Sequence, residues 1–253
     1  MMSHMGVEIV DIDHMPRGGP DASWLDRRLE TNCQEYLDRD DVDDALKRRV
    51  VNSLDRIGTV FKEHERNARL VLDQVADVPD PAILELGAGH GRLSRLILEM
   101  HPTATVTVTD LDPASVGAIA SGDLGRHPRA AVRVMDATAI GASDRSYDLA
   151  VFAMSFHHLP PRQAVQAVAE GTRVADQLLI IDLPRLPSLL HLVQLATFAP
   201  LAAVVPLAHD GFISSLRAYS RSALRALARH ADPDIDVRWR GAAWGPQVVV
   251  ASR

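Results

Sequence analysis

The strongest constraint on the fold lies in residues 82–182, where short runs rich in Val, Ile and Leu alternate with helical or loop segments. The runs are 82-AILELG-87, 105-TVTVTD-110, 131-AVRVMD-136, 147-YDLAVFAMS-155 and 177-QLLIID-182. Strands apolar on both faces belong to a parallel sheet covered by helices on each side. After the first run, Leu93, Leu96, Ile97 and Met100 share one helical face, and another helix starts near Pro160 or Pro161. The ending differs. Residues 235-IDVRWRG-241 and 247-QVVVASR-253 read as strands joined by only 242-AAWGP-246, a link too short for a parallel crossover. The expected fold class is α/β, with a doubly wound, mostly parallel seven-stranded sheet completed by an antiparallel C-terminal hairpin.

The rest of the chain divides around that core. Residues 1–78 read as a helical arm or lid. Residues 6–20 carry Pro16, Gly18, Gly19 and Pro20 and read as irregular. Val42, Leu46, Val50, Leu54 and Ile57 then recur at helical intervals, and Phe61, Ala68, Val71, Leu72 and Val75 form a second stripe. Residues 79–182 are the α/β core, 183–230 a helical insertion, and 231–253 the strands that complete the sheet. The run 186-LPSLLHLVQLATFAPLAAVVPLA-208 approaches the length of a membrane span. Pro187, Pro200 and Pro206 interrupt it, and His191 and Gln194 lie within it, so it reads as two short buried helices without stable membrane insertion. Ser220 reads as the N-cap of a helix over 221–230.

Composition narrows the function. A net charge of −6 gives no basic footprint for nucleic acid. Cys33 is the only cysteine, which excludes an internal disulfide and any zinc site built on several thiolates, and fits a cytoplasmic protein. No ligand spacing such as H-E-x-x-H is present, so no metal is expected.

The stretch 83-ILELGAGHGRLS-94 passes from strand to helix through three glycines. In an open parallel sheet, ligands bind at the carboxyl ends of the strands, and glycine admits positive φ and close approach to the main chain. Asp110 closes the second strand, about where such folds place a carboxylate for ribose hydroxyls. Position 92 is arginine, so the glycines run G-x-G-x-G and the dinucleotide fingerprint G-x-G-x-x-G is broken. Glu85 directs a negative charge towards the turn, which suits a cationic ligand better than a pyrophosphate. Asp136 ends the third run, where a carboxylate can accept from an adenine amino group. A phosphate-cradling G-x-x-x-x-G-K-[ST] loop is absent.

Taken in order, E-L-G-A-G-H-G, V-T-D-L-D-P, R-V-M-D-A and Y-D-L-A-V-F-A-M-S-F-H-H-L resemble the class I S-adenosylmethionine-dependent methyltransferases, over about residues 80–182 and the terminal hairpin. The resemblance implies the Rossmann-like methyltransferase fold, with S-adenosyl-L-methionine as cofactor and S-adenosyl-L-homocysteine as product. It implies Glu85 near the methionine end and the backbone of Gly87, Ala88, Gly89 and Gly91 facing the methionyl and ribose groups. Asp110 would bind the ribose hydroxyls, with Leu111 beside the adenine. Asp136 and the backbone of Ala137 would meet the adenine edge, and Phe152 and Ala153 would line the other side.

Methyl transfer needs alignment of its partners and, for a hydroxyl acceptor, removal of a proton. His157 and His158, in 155-SFHHL-159 at the end of the fourth strand, are candidate bases, as is His209. The alternative for the histidine pair is to hold the loop. Asp210, Arg217 and Tyr219 follow an apolar stretch and would orient an apolar or aromatic acceptor with His209; the alternative is a dimer-forming helical cap with Arg217 in a structural ion pair. Tyr36, Phe61 and His64 reach the site if the N-terminal helices close over it, but packing is the expected role for each. The expectation is a methyltransferase of a small-molecule acceptor, apolar or aromatic, at oxygen, with a homodimer as a further expectation. Competing classes are a protein or nucleic-acid methyltransferase, against which 151-VFAMSFHHL-159 lacks N/D-P-P-Y/F, a protein that binds the cofactor without turnover, and an NAD-dependent dehydrogenase.

Overall fold

The computed structural model describes residues 11–253 apart from 32, 37, 38, 40, 203, 204 and 241–244. Part of the expected arm, most of the 242–246 link, and the side chains of Leu54 and Ile57 therefore lie outside the described residues. Seven strands form one sheet: β1 Ala82–Leu86, β2 Thr105–Asp110, β3 Ala130–Val134, β4 Tyr147–Ala153, β5 Ala175–Asp182, β6 Asp236–Arg240 and β7 Gln247–Ser252. Their order is β3-β2-β1-β4-β5-β7-β6. β1 to β5 pair in parallel, whereas β7 is antiparallel to both β5 and β6. The chain reverses direction between β3 and β4, which flank the pair β2-β1 on opposite sides, so the switch point falls at the carboxyl end of β1.

Alternating residues bury opposite faces. On β5, Leu178 and Ile180 join one core with Leu84, Phe152, Ala164 and Leu227, while Leu179 and Ile181 join the other with Ile83, Val71, Ile97 and Val108. Double-sided burial is why these strands read as continuous apolar runs. The covering helices are α3 Glu63–Gln74, α4 Arg92–Met100 and α5 Pro113–Ser121, together with α6 Pro161–Val174 and α9 Arg221–Ala231. Asp112 caps α5 by accepting from the amides of Ala114 and Ser115, ahead of Pro113 at its first turn. Ser220 caps α9 through the amide of Ala223, as its position predicts.

The N-terminal segment holds a short helix, α1 Trp24–Arg28, and then α2 Asp44–Val60. Phe61 departs from the expected stripe. It is exposed, because Lys62 takes a left-handed φ of 53° and separates α2 from α3, so the helical register restarts. The 186–208 run also departs from expectation. It forms α7 Ser188–Ala202 and the start of α8 Pro206–Arg217, yet Leu189, Leu190 and Val193 of α7 are exposed. His191 takes the inward position instead, fully buried with its Nε2 3.2 Å from Ser215 Oγ on α8. Among the described residues, no helix is long and apolar enough to cross a membrane.

Candidate active site

The glycine turn stands at the switch point. Gly87, Gly89 and Gly91 have φ values of +68°, +57° and +74°, conformations that side chains rarely tolerate. Gly87 and Gly91 have a second reason to be glycine: a Cβ there would come within 2.9 Å of Ser155 Oγ and Leu124 Cδ2 respectively. At Gly89 a Cβ would meet nothing within 4 Å. The main chain there borders open space, into which a ligand can come close.

Asp110 ties this turn to the end of β2. Its Oδ2 accepts from the Gly89 amide at 2.8 Å and its Oδ1 from the Asp112 amide at 3.0 Å. Leu111, next to it, is 66% exposed, an apolar surface left bare at the same rim. Below the turn, Glu85 is buried and accepts from the Ser94 hydroxyl on α4. Burial pushes its carboxyl up to about 7, with the Asp110 charge adding to the rise against the Ser94 hydrogen bonds. It is therefore not the fully charged group that its sequence position suggests, since desolvation taxes the ionised form.

The other expected cofactor contacts divide. Asp136 is exposed, two residues beyond the end of β3, and its Oδ1 accepts from both the amide and the hydroxyl of Thr138. Ala137 follows it, half-buried. Ala153 ends β4 half-buried, before Met154 at a left-handed φ of 59°. Phe152, by contrast, is a core residue 3% exposed, its ring 5.3 Å from that of Phe156.

A cleft of about 250 Å³ opens between α3 and the carboxyl edge of the sheet, lined by Glu63, Arg66, Asn67, Met154, Leu183, Pro184, Gly245 and Pro246. The same helix brings the His64 ring to 6.1 Å from His90 in the glycine turn.

After β4, a 3-10 turn over Phe156–His158 carries the histidine pair. Asp182, the last residue of β5, accepts from the His157 amide at 2.8 Å and lies 2.7 Å from its Nδ1. Glu35, from the segment before α2, lies on the far side: its Oε1 is 3.6 Å from His157 Nε2 and its Oε2 is 3.9 Å from His158 Nε2. Ser214 donates to Glu35 Oε1 at 2.8 Å, and Arg217 Nη1 is 3.9 Å from the same oxygen. Arg17 donates to the carbonyls of His157 and Arg217, and Arg217 donates to that of His158. Burial opposes a charge on His157, but Asp182 and then Glu35 outweigh it and raise its pKa to about 9. Burial likewise opposes the charge on both carboxylates, and the histidines hold Asp182 and Glu35 below the usual range. His157 is thus a buried imidazolium between two anions. His158, with 31% of its side chain exposed, is the member of the pair that faces outwards.

Of the residues expected around the acceptor, Arg217 joins this cluster. His209 and Asp210 stand one turn or more away on α8, where Asp210 Oδ1 accepts from the Tyr36 amide at 2.8 Å and lies 3.0 Å from His209 Nδ1. The rings of Tyr36 and His209 are 4.7 Å apart. Tyr219 lies in the core, 2% exposed, donating its hydroxyl to the Leu159 carbonyl at 2.7 Å beneath the Arg17 guanidinium; burial raises its pKa. Glu35, Asp182, Ser214 and Arg17 did not stand out in the sequence. Asp182 carried a usable signal, a carboxylate at the end of a parallel strand beside β4. Glu35 sits in the polar run 30-ETNCQEYLDRD-40 without periodicity.

The family model described as "Methyltransferase domain" matches residues 83–177. No curated protein sequence matches the chain. Among solved structures, a protein described as an O-methyltransferase from Nostoc punctiforme PCC 73102 is 16% identical with a TM-score of 0.52, covering 74% of this chain; the chain spans 55% of its length. An S-adenosylmethionine-dependent methyltransferase from Aquifex aeolicus is 18% identical with a TM-score of 0.53, covering 73% of this chain and 88% of its own. The plantazolicin methyltransferase BpumL, in complex with a pentazolic desmethylPZN analog and SAH, is 12% identical with a TM-score of 0.62, covering 82% and 91%. At these identities the likenesses show a shared fold. The methyltransferase domain matched over residues 83–177 and the shared fold are consistent with a class I S-adenosylmethionine-dependent methyltransferase.

Proposed function

We propose that the protein transfers a methyl group from S-adenosyl-L-methionine to a small apolar or aromatic acceptor at oxygen, releasing S-adenosyl-L-homocysteine. The carrying observation is the Gly89–Asp110 latch, which borders open space at the switch point. This chain's groups suit such a cofactor: the bare backbone at Gly89 lets its ribose and methionyl parts come close, and the Asp110 carboxylate has lone pairs left for vicinal hydroxyls. Leu111 covers an adenine, Asp136 and the Ala137 amide meet its edge, and Glu85 offers a carboxylate that ionises when a cationic neighbour compensates its burial. When bound, the cofactor supplies an electrophilic methyl group. The protein's part is then to align the acceptor, exclude water and take a proton. His158 is the group for the proton, because His157 already carries one. We read α2 and α3 as a lid and residues 183–230 as the acceptor cap, with the plantazolicin methyltransferase BpumL and its bound pentazolic analog as a parallel.

Calorimetric titration tests this reading. The wild type is expected to bind S-adenosylhomocysteine at micromolar Kd and to ignore NAD. Gly89→Ala, strained by roughly 1–2 kcal/mol but free of clashes, should fold and lose at least about tenfold in affinity. A folded wild type that binds neither sulfur compound sinks the proposal, and tight NAD binding would replace it.

We further read the protein as cytoplasmic and as a homodimer joined through the exposed face of α7, where Leu189, Leu190 and Val193 are exposed and Ser188 Oγ lies 3.3 Å from the Ser23 Oγ that precedes exposed Trp24. Sedimentation should give twice the chain's mass, and Leu189→Glu with Val193→Glu should halve it. A monomeric wild type at micromolar concentration rejects the dimer.

A further inference from the structure

We propose that Glu35, His157 and His158 form a binding site for one divalent transition-metal cation, because their donor atoms converge on a common gap around a buried imidazole nitrogen. The proposal goes beyond the methyl-transfer reading and stands independently of it.

Three observations support it. One oxygen from Glu35 and one nitrogen from each histidine lie within 4.8 Å of one another. Donors held about 2.0–2.2 Å from a common metal are separated by roughly 3–4.4 Å, so a triad whose atoms lie within 4.8 Å of one another needs only a small inward movement. Second, His157 Nε2 is buried and has no hydrogen-bond partner. A buried polar atom left so is costly, and a cation would satisfy it. Third, Asp182 grips His157 from behind at Nδ1. Once an incoming cation displaces the Nε2 proton, this arrangement directs the Nε2 lone pair forwards, as in carboxylate–histidine–metal sites, and raises its donor strength.

The surroundings choose the cation. Arg217 Nη1 lies 3.9 Å from Glu35 Oε1, and Arg17 donates to the His157 carbonyl, so cationic groups offset the carboxylates and a cation cannot be held by negative potential alone. The hold comes from two imidazole nitrogens, which favour zinc, cobalt, nickel or ferrous iron over magnesium or calcium. Ser214 and Arg217 engage Glu35 Oε1, which leaves Oε2 for the metal. His157 and Glu35 are closed off, while His158 is the partly exposed side. An added ligand, water or an acceptor oxygen, has access there. A cation bound at this point would replace the second proton of His157.

The probe is Co²⁺, titrated at pH 7.5 into chelator-treated protein and followed by visible ligand-field absorption. We expect saturation at one equivalent with a micromolar or tighter Kd, displacement by Zn²⁺ and no response to Mg²⁺. Glu35→Gln and His158→Ala should each weaken binding by at least about tenfold, whereas His230→Ala, on the exposed end of α9, should not. S-adenosylhomocysteine titrations of the same samples report cofactor binding separately, so cobalt binding without it would leave the metal site standing. A folded wild type with no bands at one equivalent overturns the proposal, as do bands that persist in both Glu35→Gln and His158→Ala.

Discussion

Asp110→Ala is expected to abolish measurable S-adenosylhomocysteine binding while leaving the fold intact. The carboxylate does two jobs. It accepts from the Gly89 and Asp112 amides, which orders the glycine turn against β2, and in the proposed complex it also accepts from two ribose hydroxyls. A hydrogen bond to a charged group is worth about 1.5–3 kcal/mol, so losing two costs affinity roughly a hundredfold or more. The turn itself should survive, because Ala88 also donates to the Thr109 carbonyl and Gly91 to that of Ala88, each at 2.9 Å. Asp110→Asn should fall between, as a neutral amide retains one accepting oxygen. Circular dichroism and calorimetry on the three proteins check this. Wild-type affinity in Asp110→Ala would remove Asp110 from the cofactor site.

The core was readable because β-branched runs with two buried faces leave few other folds. The glycine turn was readable because three positive-φ positions in five residues have few uses besides a close backbone approach. Other features turned on tertiary facts. Phe61 fell off its stripe because one left-handed residue, Lys62, reset the helical phase. Tyr219 looked like a polar group at a pocket wall, but the Leu159 carbonyl, just after the histidine turn, satisfies its hydroxyl inside the core. The histidine pair was visible, whereas its division of labour was not. His157 and His158 are neighbours in sequence, yet one is clamped between Asp182 and Glu35 and the other looks outwards. That difference is set by a carboxylate 122 positions away from His157 and by another 25 positions after it, separations no local pattern encodes.

The buried pair also sets how stability responds to pH. In an unfolded chain His157 titrates near 6.5, and in the folded protein at about 9. Its contribution is therefore complete below about pH 6.5 and is lost as pH rises through 9. Asp182 and Glu35 behave oppositely: their folded values are depressed, so their contribution is present above the ordinary carboxylate range and is lost in acid. Glu85 adds a decline of its own, since a carboxyl raised to about 7 loses its contribution as pH rises to that value. The fall between pH 7.5 and 9 then belongs to His157. At 1.36 kcal/mol per pH unit it amounts to about 2 kcal/mol, or about 4–8 °C in Tm for a chain this long. His157→Gln should flatten that slope. It should also cost about 3–5 kcal/mol at pH 6, because it strands Asp182 as a buried charge without its partner. Thermal melts of both proteins across this range decide the matter: a wild-type Tm that stays level from pH 7.5 to 9 would mean that His157 is neutral, and would return it to the list of candidate bases.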